Sequence, residues 1–191
     1  GGESSSLLEL EGYFQQIWNE EHVSRKKSCH EQKYYTEQYV ILEEKYDTLK
    51  TKYPDIDSYD DWETDTFSVD KITLIDNGTQ AGRKNPQVLQ AIEAFAMQGT
   101  HVIIQTPYVI CNDYMYGVLE HISEKTDTKV ILNAVEKGSN PWGCTDYLNQ
   151  KQKILDTGVT VYELMNEHAV HTKAVLIDDD ISIVGSYNLD I

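Results

Sequence analysis

The sequence predicts an α/β fold, with a mixed, mostly parallel sheet flanked by helices and a helical segment in front of it. Two observations carry this. From residue 69 onward, short β-rich runs alternate with stretches of helical period, and Gly, Pro or Asn marks most changes. Before residue 65 there is no alternation, only two helical patterns joined by polar chain. The expected division is therefore a helical segment with an acidic linker over 1–65 and an α/β lobe over 66–191.

The elements follow in order. Ser6 is placed to cap a helix whose stripe is Leu7, Leu10, Phe14, Ile17 and Trp18. Residues 19–32 are polar without period and read as a loop. Tyr35, Tyr39, Leu42, Tyr46, Leu49 and Tyr53 then step by four and three, an a/d seam ended by Pro54. Packing of that seam on its own domain is expected, with a protein partner or a groove lid as the alternatives. Residues 55–65 form an acidic connecting loop that lacks the Gly and Glu spacing of a calcium loop.

Residues 69–75 read as a strand running into the turn dipeptide Asn77-Gly78. Asn85 and Pro86 open a helix through Val88, Leu89, Ile92, Phe95 and Ala96, closed by Gly99. Strands are expected at 101–105, 129–135, 159–164, 170–177 and 181–184, and helices at 113–125 and 146–157. A Gly/Pro loop carries Gly138, Pro141 and Gly143. Strand–helix–strand order favours parallel pairing, while Asp178-Asp179-Asp180 joins the last two strands as an antiparallel hairpin.

Composition removes several function classes. The 191 residues carry 32 acidic and 16 basic side chains, a net charge of −16. Both parts share it: 7 basic against 16 acidic over 1–65 (net −9), and 9 against 16 over 66–191 (net −7). A nucleic-acid binder normally shows a positive footprint, so extended nucleic-acid binding is disfavoured. No apolar run approaches the roughly 18 residues that a spanning helix needs, so no transmembrane segment is expected in this piece. Cys29, Cys111 and Cys144 are widely spaced and show neither zinc-type nor disulfide pairing.

Chemistry concentrates in residues 171–188. On a strand, His171 and Lys173 share one face, and Val175 and Ile177 continue it into the core. The hairpin returns the chain, and Gly185 is expected to take an unusual backbone angle that brings Ser186 and Asn188 back toward His171. An imidazole, an ammonium, a hydroxyl and an amide would then converge. That set suits an anionic tetrahedral phosphate: Lys supplies charge, Ser and Asn supply neutral donors, and His attacks phosphorus or passes a proton. A metal is disfavoured, because only one good ligand is present and an ammonium repels cations.

The pattern His-x-Lys-x(4)-Asp-x(6)-Gly-Ser-x-Asn is filled by His171, Lys173, Asp178, Gly185, Ser186 and Asn188. It resembles the signature of the phospholipase D superfamily. At average residue usage, six such identities recur by chance in roughly a few in a million chains of this length. Gln105-Thr106-Pro107-Tyr108 is similar to a segment of the bacterial cardiolipin synthase branch. Residues 130–133 and 158–164 resemble strands of the same branch, and 12–19 resembles the helix after the first motif of two-motif members. Residues 66–191 thus look like the C-terminal catalytic lobe of a two-motif member, cut short of the Arg-Ser pair and the later acidic residue that members carry.

The resemblance implies a phosphatidyltransferase or phosphodiesterase acting on a phospholipid through a phosphohistidine-type intermediate, without metal or other cofactor. It implies His171 as the acid, Lys173, Ser186 and Asn188 on the phosphate, and Asp178 in the catalytic set or holding the hairpin. The second histidine would come from an N-terminal motif-bearing lobe of the same chain or from a second copy. The fragment alone would be inactive, and its parent would be bacterial and associated with the cytoplasmic membrane. Two other readings stay open: a single-motif dimeric phosphodiesterase or nuclease, and a non-catalytic scaffold module that keeps the fold. His168 is expected on a solvent-facing loop, Trp142 as a loop anchor or lipid contact, and Tyr108 in the pocket wall.

Overall fold

The computed structural model describes residues 5–21, 23, 32–58, 68–79, 85–138, 141–165 and 167–190. The chain divides into two compact units, Gly1–Leu74 and Ile75–Ile191.

The first unit holds two helices, α1 (Ser5–Trp18) and α2 (Gln32–Lys52). The predicted stripe of α1 is open to solvent at Leu7, Leu10, Phe14 and Trp18, with the Phe14 and Trp18 rings stacked 6.0 Å apart. Five of the six seam residues lie on α2 and Tyr53 just follows it; all six are exposed, Tyr39 and Leu42 at 62% each. The seam forms a helix as its spacing requires, but the packing expected of it is not seen. The turn after α2 is fastened by Asp57, which accepts from Tyr46 Oη and pairs with Lys50. Most of the loops expected at 19–32 and 55–65 lie outside the described residues. The strand expected at 69–75 is not formed: among the described residues this stretch pairs with no strand. β-branched residues make a strand only where a neighbour completes the ladder, and the carbonyl of Ile72 instead accepts from Ser6 Oγ (3.0 Å).

The second unit is a mixed sheet with helices. Its elements are α3 (Gln87–Ala96), β1 (His101–Gln105), β2 (Val109–Ile110), α4 (Asp113–Ser123), β3 (Asp127–Asn133), a 3₁₀ turn (Val135–Lys137), α5 (Pro141–Asp156), β4 (Thr160–Leu164), β5 (Ala174–Ile177), β6 (Ile181–Val184) and β7 (Leu189–Asp190). Five strands lie in the order β4-β3-β1-β5-β6. β1, β3 and β4 are parallel; β5 is antiparallel to both β1 and β6. Four of the five strands therefore run one way, and β5 alone is reversed. β2 and β7 form a separate parallel pair.

Strand alternation builds the core. Val102 and Ile104 of β1 align with Thr128 and Val130 of β3 and with Ile177 and Val175 of β5, and all are buried. The connections β1-α4-β3 and β3-α5-β4 step the same way across the sheet, so right-handed crossovers set α4 and α5 on one face. α3 packs on α4 and β5 from that side. Leu89, Ile92, Met115, Leu119, Ile122, Tyr147 and Ile154 fill the layer between.

Two caps differ from expectation. Residues 85–86 carry no side-chain cap at α3; Asn77 Oδ1 accepts from Val88 N (2.9 Å) across the turn instead. α5 begins at Pro141, inside the expected Gly/Pro loop, because proline suits the first helical turn.

Candidate functional site

β5 is the reversed strand, so its start lies beside the C-terminal end of β1, at the edge of the sheet where parallel β3 also ends. This is the rim where open α/β sheets place their ligands. His171 and Lys173 stand just ahead of β5, and Gly185, Ser186 and Asn188 just after β6. Because Ala174 pairs with Val184, continuing the register sets Lys173 opposite Gly185, and Gly185 N donates to Lys173 O (3.2 Å). The hairpin thus returns Ser186 and Asn188 to the histidine end, as the spacing predicts. Gly185 does not do this through a left-handed backbone. Among the described residues, positive φ belongs only to Gly78, Gly158 and Asp178, and a Cβ at Gly185 would meet nothing within 4 Å.

His171 and Lys173 come together. Lys173 Nζ lies 2.7 Å from His171 Nδ1, 3.1 Å from Nε2, and 2.7 Å from the His171 carbonyl oxygen. An ammonium only donates, so a ring nitrogen that accepts from it must carry no proton of its own. Among the described residues, Lys173 Nζ meets only His171, at its ring nitrogens and its carbonyl oxygen. Among those residues no carboxylate pairs with its charge. His171 and Ser186 are exposed, and Lys173 is half-buried.

Asn188 is half-buried; its Nδ2 reaches Tyr108 Oη (3.5 Å) and Asp190 Oδ2 (3.2 Å), while Oδ1 is buried with no partner. Tyr108 sits on the turn after β1. Thr106 holds this turn by donating from Oγ1 to Tyr108 O (3.0 Å) and accepting from Leu189 N (3.3 Å).

Asp178 lies apart, at the other end of β5. Its carboxylate accepts from His101 N (2.8 Å), Thr100 Oγ1 (2.9 Å) and Thr100 N (3.1 Å), and its own N–H donates to His101 O (2.9 Å). The His101 amide, then the Thr100 hydroxyl and amide, hold this carboxyl below the usual carboxylate range. Its φ of 47° makes the tight turn into β6. Gly99 is required beside it, since a Cβ there would lie 2.5 Å from Ile177 Cγ2 and 3.0 Å from Asp178 Oδ2.

One residue at the rim escaped the sequence reading. Asn133, the last residue of β3 and only 4% exposed, accepts from Val170 N (2.7 Å) and donates to Val170 O (2.8 Å) and Pro107 O (3.0 Å). The only sequence signal was an amide closing an apolar strand run. Of the other candidates, His168 and Trp142 are exposed, Trp142 at 84%. Cys111 is buried, and burial pushes its thiol up to about 12, against use as a nucleophile. Among the described residues, no three His, Cys, Asp or Glu side chains group as a metal site, and no helix is long and apolar enough to cross a membrane.

Residues 84–191 match the family described as "Cardiolipin synthase, PLD-like domain". Among curated proteins, cardiolipin synthase 1 of Staphylococcus epidermidis is 29% identical over 89 residues, and cardiolipin synthase A of Klebsiella pneumoniae is 28% identical over 95. Each alignment takes in 47% of this chain and 18% of the relative. Among solved structures, the phospholipase D family member Nuc from Salmonella typhimurium matches with a TM-score of 0.42 and 16% identity, covering 54% of this chain and 65% of that one. The family match takes in more than half of the chain and all six motif residues, so the chain belongs to the cardiolipin synthase PLD-like domain family of the phospholipase D superfamily.

Proposed function

We propose that residues 66–191 are the C-terminal catalytic lobe of a phospholipase D-like phosphatidyltransferase or phosphodiesterase of the cardiolipin synthase type. The observation that carries this is the His171–Lys173 pair at the strand rim, where the described residues offer the ammonium no carboxylate. Phosphodiester cleavage requires a nucleophile, an acid for the leaving alkoxide, and positive charge on the phosphate oxygens. Lys173 supplies the charge, with Ser186 and the Asn188 amide as neutral donors. His171 is the acid: a second motif's histidine attacks phosphorus, the P–O bond to the alcohol breaks, and the proton on His171 passes to the departing oxygen. Water or an acceptor alcohol then attacks the phosphohistidine, returning its proton to His171 as the P–N bond breaks.

The second histidine comes from another lobe of the same protein or from a second copy of this one. The substrate is a phospholipid, which sets the protein to work at a bacterial membrane surface. Asp178 acts on hairpin geometry and not on the reacting atoms. The test is alcohol release from a phospholipid by the full-length protein and its His171→Ala variant. A loss of about 10³-fold or more is expected. Unchanged turnover would end the catalytic reading.

A further inference from the structure

We propose that Asn133 is a positioning residue for His171, fastening through one buried carboxamide both the backbone ahead of the histidine and the turn that carries Tyr108. The inference rests on the catalytic reading of His171. Three observations support it. First, residues 167–173, which lead into β5, belong to no strand, so no ladder fixes where His171 begins. Second, Asn133 stands in for that ladder. Its Oδ1 takes Val170 N (2.7 Å) and its Nδ2 gives to Val170 O (2.8 Å), the two-point exchange that a paired strand residue would make. Val170 is covalently next to His171, so the clamp places the backbone from which the imidazole projects. Third, the same Nδ2 gives to Pro107 O (3.0 Å), one residue before Tyr108, whose hydroxyl faces Asn188. One side chain therefore sets the register between the histidine and the Tyr108–Asn188 side of the rim.

The geometry makes the amide specific. Leucine at 133 would fill similar volume but leave the Val170 N–H and two carbonyls without partners. Aspartate would keep the acceptor for Val170 N and lose the donor that both carbonyls need.

The test combines amide hydrogen exchange with steady-state kinetics on the full-length protein, using bis(p-nitrophenyl) phosphate as probe. In Asn133→Leu, exchange at the Val170 amide should rise at least about tenfold while Val102 and Val130, in the sheet core, keep their protection. The kcat per folded molecule should fall by about a hundredfold with KM changed by less than about threefold, as expected when a reacting group is displaced by an ångström or so. A merely structural role would lower the unfolding midpoint and leave kcat per folded molecule alone. Should Asn133→Leu fail to fold, Asn133→Asp is measured in the same way, with a smaller loss expected because one of three bonds survives. Wild-type kcat in a folded variant, or unaltered Val170 exchange, overturns the proposal. Equal turnover by wild type and His171→Ala would instead overturn the catalytic reading, and that comparison is complete before Asn133 is touched.

Discussion

The two ends of strand β5 carry residues of one motif and are held in opposite ways. At the far end, Asp178 is saturated: its carboxylate receives the His101 amide and both donors of Thr100, and its backbone closes the turn. At the near end, Lys173 and His171 have chiefly each other, and Ser186 stands in solvent. Saturated groups hold a shape, because displacing them leaves polar atoms without partners. Groups that are charged or exposed and paired chiefly with one another are available to a ligand. A six-residue signature can therefore divide its labour, with part of it building the hairpin and part presented by it.

Exchanging roles between the two ends would break this division. The largest effect is expected at Lys173. Lys173→Ala should cut phosphodiester turnover by about 10²–10³-fold while leaving the unfolding midpoint unmoved, since the lost interaction is with the developing phosphate charge. Asp178→Ala should do the reverse, lowering the unfolding midpoint by about 5 °C while kcat per folded molecule stays within a few-fold of wild type. It removes three accepted hydrogen bonds and forces a left-handed φ on alanine. A large turnover loss in the folded Asp178→Ala protein would mean that the division is wrong.

Gly99→Ala comes next, since its Cβ collides with Ile177 and crowds Asp178. Overpacking of this kind costs about 1–3 kcal/mol, read by urea denaturation, again with turnover preserved. A pH series sharpens the same end. The folded-state pKa of Asp178 is lowered, so its stabilisation is complete above the ordinary carboxylate value and is lost as pH falls through the folded one. Asp178→Asn tolerates the same backbone but lacks the charge. The stability gap between wild type and this variant should be widest near neutrality and close as the pH is taken well below about 4. A gap that stayed constant would show that the charge contributes nothing. The smallest effect is expected at Ser186, where the exposed hydroxyl adds one neutral donor; Ser186→Ala should lower turnover only several-fold.

Much of this was legible from residue order. Strands at 101–105 and 181–184 were bounded correctly because Gly99, Pro107 and the three aspartates punctuate them. The reversed hairpin, with its functional residues returning to one end, followed from a period of two and a turn. The rest depended on tertiary partners. Residues 69–75 have strand composition but, among the described residues, no ladder partner. Pro141 was read as loop punctuation when it was opening α5. The pair β2 and β7, two residues each, is too short to show a period. Asn133 gave no signal, because a clamp is defined by what it reaches, here Pro107 and Val170, the latter 37 residues on. Gly185 showed the opposite error, in which a motif glycine was assigned a backbone need that the structure does not show.

The reversal of β5 also governs when the site can come into being. Parallel strands β1, β3 and β4 assemble from successive crossovers, each closing a modest loop. β5 must find β1 across a far longer interval, Gln105 meeting Ala174 from 69 positions away. Loop-closure entropy makes that pairing a late one, while the local β5–β6 hairpin forms early and waits. The histidine and lysine would then travel as passengers on a preformed hairpin and reach the rim only when the sheet accepts its fourth strand. On the ribosome this postpones the working geometry until the chain has been made through Asn188, so a truncated or stalled product would carry the motif's histidine and lysine without the rim that gives them a use.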